Sequence, residues 1–188
     1  SLEEKILSAS SRRKEVELAI LAELRKGILE VAALILRQAQ IWAELDVFIN
    51  LAWVALENNY CRPQISEDRT LHIESGRHPV VEKNVQRYTP NSVVLTKGQC
   101  LLLTGPNMAG KSTLMRQVAL HVIMAQAGSF VPATSAMLPI YDRIFTRIGA
   151  SDSLSEGLST LMVEMKETAA IIGNLTPTSL IILDEIGR

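Results

Sequence analysis

The stretch "LLLTGPNMAGKST", residues 101–113, limits the possible folds more than any other part of the chain. An apolar run leads directly into Gly105. Gly110, Lys111 and Ser112 then complete the spacing G-x-x-x-x-G-K-[ST], just before a helical pattern begins. Glycines let consecutive backbone N–H groups curl around phosphate oxygens, and the helix that follows turns its positive end toward them. Lys111 supplies a point charge for β and γ phosphates, and the Ser112 hydroxyl is suited to Mg²⁺. The competing reading is a glycine-rich turn followed by Lys-Ser through chance. The apolar strand before it and the helix after it weigh against chance. The candidate nucleotide-binding residues are therefore Gly105, Pro106, Asn107, Met108, Ala109, Gly110, Lys111, Ser112 and Thr113, and the implied ligands are ATP or ADP with Mg²⁺.

A second signal lies at "SLIILDEIGR", residues 179–188, where an apolar, partly β-branched run delivers Asp184 and Glu185 to its tip. Alone it is weak, because many strands end in acids that cap the next helix. Beside a phosphate loop it takes the form of a Walker B motif. Asp184 then belongs to the Mg²⁺ shell, and Glu185 is the catalytic candidate that orients or deprotonates the attacking water. A Glu directly after the Asp favours hydrolysis of ATP over phosphoryl transfer to a metabolite.

Two different textures adjoin in the chain. Residues 2–58 contain no proline and one glycine, Gly27, and apolar residues recur mostly at three- and four-residue steps from Ile6 to Ile35. That is helix periodicity over most of two long segments, whose apolar stripes need a partner. "NNYCRP" ends the pattern, with Pro63 opposing continuation. Beyond it, "RTLHI", "SVVL", "QCLLLTG", "RIFTRIG" and "SLIIL" read as strands, and Ser112–Gln126 and roughly Thr160–Gly173 as helices, the first ended by Gly128. Strands alternating with helices predict an α/β domain with a mostly parallel sheet covered on both faces, and "SLIIL" as an inner strand. The division is a helical arm over 1–62 and a P-loop nucleoside-triphosphatase domain over 63–188.

Composition excludes several classes. With 47% hydrophobic and 21% charged residues the chain is globular, and a net charge of -1 leaves no overall electrostatic footprint for nucleic acid. Cys61 and Cys100 are far apart, which predicts two reduced, buried thiols. No segment reaches 18 uncharged apolar residues, so no membrane span is expected and the chain reads as soluble and intracellular. His72, His78 and His121 suggest no metal and no catalytic role.

Taken together, "TGPNMAGKSTLMRQVAL", "AGSFVPA", "TRIGASDSLSEGLSTLMVEM" and "LDEIGR" resemble the ATPase domain of the bacterial MutS family of DNA mismatch-repair proteins. The likeness extends to "GRHPVVE", "WAELDVFINLA" and "LEEKILSA", and so covers nearly the whole chain. It implies an ABC-like ATPase that works as a homodimer, each site completed by a signature segment of the other subunit. Here that segment is "SEGLSTLMVEM", and Ser159 is its candidate γ-phosphate residue. Read from the residues alone, Ser159 is a helix N-cap, and Met162, Met165 and Ala169 are a buried stripe. Tyr88, in "RYTPN", matches the family position that lays an aromatic ring on adenine. The bland reading is a loop tyrosine packed on its own domain.

The resemblance further implies ATP-driven switching on mismatched double-stranded DNA, bound through domains absent here. It also implies downstream mismatch-repair partners, and a bacterial cytoplasm with nucleoid association on DNA. The family's mismatch-reading, connector and clamp domains are expected to precede this segment, with further strands and a dimerisation element after "DEIGR". The chain is thus expected to be a fragment of core and lever helices with the front of the nucleotide domain. Two other readings stand beside this one: an ABC-type ATPase of chromosome maintenance, and a non-catalytic association module with a vestigial loop. The wording "GPNMAGKS" and "STLMVEM" opposes the first, and the presence of Lys111, Ser112, Asp184 and Glu185 opposes the second.

Overall fold

A computed structural model of the chain describes residues 2–148 and 160–184. The chain divides into two compact units, Ser1–Asn50 and Leu51–Arg188. The first is built by a single helix, α1, Leu2–Glu57, whose last turns belong to the second unit. Its 56 residues run about 84 Å at 1.5 Å per residue. Two helical segments were expected; Gly27 interrupts nothing, since an isolated helical glycine costs only about 1 kcal/mol.

α1 ends at Glu57, six residues before Pro63 and so before the proline could stop it. Asn59 takes the left-handed conformation at φ 52°. The Tyr60 N–H donates to Ala55 O at 2.9 Å and the Asn59 N–H to Leu56 O at 3.5 Å. These are the two bonds of a Schellman stop, with Asn in the place glycine usually takes. Arg77 then closes the helix end, donating through Nη2 to Asn58 O at 2.9 Å and Asn59 O at 3.0 Å.

The second unit has mixed α/β content. β1 (Gln64–Ile65), β2 (Leu71–Gly76), β3 (Asn91–Leu95) and β4 (Ser135–Leu138) form a sheet in the order β1-β4-β2-β3. The short helix α2 (Val81–Asn84) lies between β2 and β3, and α3 (Lys111–Gln126) follows β3. β5 (Arg143–Ile148) and β6 (Ser179–Asp184) pair in parallel on either side of α4 (Thr160–Gly173). β2 is antiparallel to both β3 and β4, while β1–β4 and β5–β6 are parallel. The sheet is therefore mixed among the described residues, not mostly parallel: β2 runs antiparallel to both of its neighbours, and only the edge pair β1–β4 is parallel in it.

One expected strand is absent. Residues 99–105 lie in no ladder, and Leu102 is 83% exposed. Apolar composition suits a strand but does not make one; a ladder partner does, and no described strand pairs with this run. A turn precedes it, with Gly98 at φ 76° and the Gln99 N–H donating to Thr96 O at 3.1 Å. β6, expected as an inner strand, pairs with β5 alone among the described strands.

The core joins both sheets through α3. Leu71, Ile73 and Val93, then Val118, Ala119 and Val122 of α3, then Val131, Ala136 and Leu138, then Leu180 and Ile182 of β6 form one buried cluster. α3 stops where Gly128 adopts φ 84° and the Ala127 N–H bonds back to Ile123 O. α4 does not bury the expected stripe. Met162, Met165 and Ala169 are exposed, and the buried residue of α4 among those described is Glu164, on the other side of the helix. The reason is a buried cation on β5, described below. The thiols also differ from expectation: Cys61 is half-buried, with burial pushing its pKa up, and Cys100 is exposed.

Candidate functional site

The glycine-rich loop stands between the unpaired run and α3. Gly105 has φ 150° and Gly110, the residue before the helix, has φ 86°. Met108 also sits in the left-handed region at φ 62°, fully exposed. A bulky residue there stores strain of about 1–3 kcal/mol, a property concentrated at ligand-holding loops. No side chain caps the N-terminus of α3. Its first N–H groups lack intrahelical partners by construction, which leaves donors for an anion. Lys111 folds back across the loop and donates from Nζ to Gly105 O and Pro106 O, each at 2.8 Å. The ammonium is thus held over the loop. Ser112 and Thr113 follow on the first turn, both half-buried.

Asp184 closes β6 and is buried at 7% exposure. Strand alternation puts its side chain on the face of Leu180 and Ile182, which pack with Val118 and Val122 of α3. The carboxylate therefore lies on the side of the sheet that α3 covers, and α3 begins with Lys111 and Ser112. The fold brings the two motifs to one face although more than 70 residues separate them in sequence. A hydroxyl and a carboxylate are hard oxygen donors of the kind Mg²⁺ takes, and that ion completes its shell with water and substrate phosphates. Among the described residues no group of three or more His, Cys, Asp or Glu could hold a metal, and Mg²⁺ bound in this way requires none. Glu185 and Ser159 lie outside the described residues.

Tyr88 is half-buried, and its hydroxyl donates to Gln117 Oε1 on α3 at 2.8 Å. Burial raises its pKa. The tyrosine is thus both packed on its own domain and tied to the helix that carries the loop. Sequence reasoning missed Gln117, which is fully buried; a polar residue amid Val118, Ala119 and Val122 was the available signal. Gly76 makes room for it. A Cβ there would stand 2.6 Å from Ile73 Cγ2, closer still to the Gln117 amide, and 3.2 Å from Asn91 O.

Two of the histidines, His78 and His121, bond to the main chain. His78 Nδ1 accepts from the Val80 and Val81 N–H groups at 3.3 and 3.2 Å, holding the start of α2. His121, fully buried, places Nδ1 2.7 Å from Gln117 O and Nε2 3.2 Å from Pro132 O. Burial lowers the pKa of both rings. Among the described residues no helix is long and apolar enough to cross a membrane.

Known proteins match along the same residues. A profile of MutS domain V matches residues 101–188. The DNA mismatch repair protein MutS of Desulforapulum autotrophicum is 56% identical over 191 residues, covering 100% of this chain and 21% of that protein. Those of Clostridioides difficile and Desulfitobacterium hafniense are 52% and 53% identical over 100% and 99% of the chain, and 20% and 22% of their own lengths. With the loop, the strand-end carboxylate and end-to-end likeness in agreement, the chain belongs to the MutS family of DNA mismatch repair proteins and spans about a fifth of the length of these curated relatives.

Proposed function

We propose that this segment forms the nucleotide-binding part of a MutS-type mismatch-repair ATPase with an ABC-like P-loop fold. The observation that carries the reading is the common face shared by the loop–helix junction Gly105–Ser112 and the buried Asp184 at the end of β6. Residues Gly105–Thr113 cradle the phosphates of ATP or ADP through backbone N–H groups, and Lys111 exchanges its two carbonyl partners for phosphate oxygens. Tyr88 carries the adenine ring. Ser112 and Asp184 hold Mg²⁺, which when bound neutralises charge developing on the phosphates. Glu185 orients the attacking water, and Ser159 of a second copy completes the site. In the whole protein the reading includes a homodimer, mismatched double-stranded DNA bound through other domains, and downstream repair partners. It also places the protein in the bacterial cytoplasm, associated with the nucleoid when on DNA.

The test uses a full-length MutS carrying this segment. Lys111→Met is expected to weaken ATP binding by about 10- to 100-fold, the worth of a charge-assisted hydrogen bond. Glu185→Gln is expected to retain binding and abolish steady-state hydrolysis. Unchanged turnover in Lys111→Met would overturn the reading. The 188-residue chain alone is expected to bind nucleotide weakly and to hydrolyse it poorly, because Ser159 is needed from a partner. Robust turnover by that chain as a monomer, measured as phosphate release, would contradict the composite site.

A further inference from the structure

Arg147 lies on β5 at 5% exposure, and Glu164, on α4, is buried to the same degree. A guanidinium withdrawn from water is costly unless its donors are met. Here Nη2 stands 2.7 Å from Glu164 Oε1, Nε stands 3.4 Å from Glu167 Oε2, and Nη1 donates to the main-chain oxygen of Asp184 at 3.3 Å. One side chain thus joins the helix α4, the strand β5 and the last described peptide of β6.

The register explains why the guanidinium meets that peptide and not the carboxylate. Arg147 pairs with Leu183 and Ile148 with Asp184. The Arg147 side chain therefore projects from the face covered by α4, opposite the face of Leu180, Ile182 and the Asp184 side chain. Fixing the Asp184 peptide fixes its Cα–Cβ direction, and hence where the carboxylate sits on the α3 side. An apolar pair would hold α4 against β5 equally well, and often better. A planar fork adds control of orientation at both ends.

We propose that Arg147, held by Glu164 and Glu167, is a positioning residue that lets α4 set the placement of Asp184 through its peptide. The inference rests on the nucleotide reading above. It makes displacement of α4 and displacement of the site carboxylate one event, joined by three polar contacts.

The test again uses a full-length MutS carrying this segment. Arg147→Met strands Glu164 and endangers the fold, so the paired variant Arg147→Met/Glu164→Leu, which replaces both charges by apolar groups, is measured with Arg147→Lys. The paired variant is expected to melt as the parent does and to bind nucleotide without Mg²⁺ unchanged. Its kcat is expected to fall about 10- to 100-fold, the usual effect of removing a group that orients a metal ligand, and its half-saturating Mg²⁺ concentration to rise. Arg147→Lys, which keeps the charge and loses the fork, is expected to fall between. In nucleotide-free protein, hydrogen exchange at Leu183 and Asp184 is expected to quicken in the paired variant while Val118 and Val122 keep their protection. Unchanged kcat, Mg²⁺ requirement and exchange in the folded paired variant would overturn the proposal. So would a parallel fall of stability, affinity and turnover, which is the signature of a merely structural pair. Lys111→Met, run alongside, separates this from failure of the nucleotide reading: if it leaves turnover intact, that reading fails, whatever the exchange data say of Arg147.

Discussion

At the scale of single residues, the motif that carries chemistry was legible because its parts are consecutive. Gly105, Gly110, Lys111 and Ser112 announce a loop by spacing alone, and the left-handed glycines agree with it. Gln117 and Arg147 were not legible, because each earns its place through a partner distant in sequence. Tyr88 shows both limits: likeness gave it an adenine role, while the fold adds the bond to Gln117. Nε2 of Gln117 has no hydrogen-bond partner among the described residues, so the tyrosine hydroxyl is the polar contact its side chain has. Tyr88→Phe is therefore expected to cost about 1–3 kcal/mol of stability, the penalty of leaving a buried polar group unmet, while an apolar ring remains for adenine. Tyr88→Ala is expected to lose both stability and nucleotide affinity. Denaturant unfolding and nucleotide titration of the two variants separate the roles; equal stability of Tyr88→Phe and parent would show that the bond contributes nothing.

At the scale of elements, α3, α4, β5 and β6 were readable from apolar runs bounded by Gly128, Gly173 and Ser179. β1 and β4 were missed because they are short and take their pairing from strands elsewhere. Residues 99–105 show the converse, a strand-like composition without a ladder. His121 is the point where α3 is fastened to the segment before β4, through Nε2 and Pro132 O, while its Nδ1 meets Gln117 O one turn back on the same helix. Its pKa is lowered chiefly by burial, with His78 and Arg77 adding repulsion and the two carbonyls opposing. The sign follows directly. With the folded pKa below the unfolded value of 6.5, the unfolded chain binds more protons between the two, so stability is full above about 6.5 and declines as pH falls below it. His78 shifts in the same direction and adds to the decline. Melting temperature is expected to drop from pH 7 toward 5, and the drop to be shallower in His121→Gln. An identical pH profile in that variant would remove His121 as the cause.

At the scale of the whole molecule, the periodicity of α1 promised stripes that need partners, and the exposed residues bear out the need. Leu21, Leu24, Ile28, Leu34, Ile35, Trp42, Phe48, Ile49 and Trp53 are all at least half exposed, and Leu18, Leu29 and Leu36 extend the apolar surface to another side of the helix. Monomeric proteins rarely leave contiguous apolar surface beyond a few hundred Å² uncovered. β6 adds an open edge, since β5 is its sole described neighbour, and unpaired edges template association. The 188-residue chain in isolation is therefore expected to self-associate, with sedimentation coefficients that rise with concentration and strong binding of an apolar dye. Replacing Leu24, Ile28, Trp42 and Phe48 by Gln keeps helix-compatible residues while removing apolar area. It is expected to reduce both signals in part, leaving the share due to the strand edge. A sharply melting monomer at all concentrations would mean that α1 finds cover within its own chain.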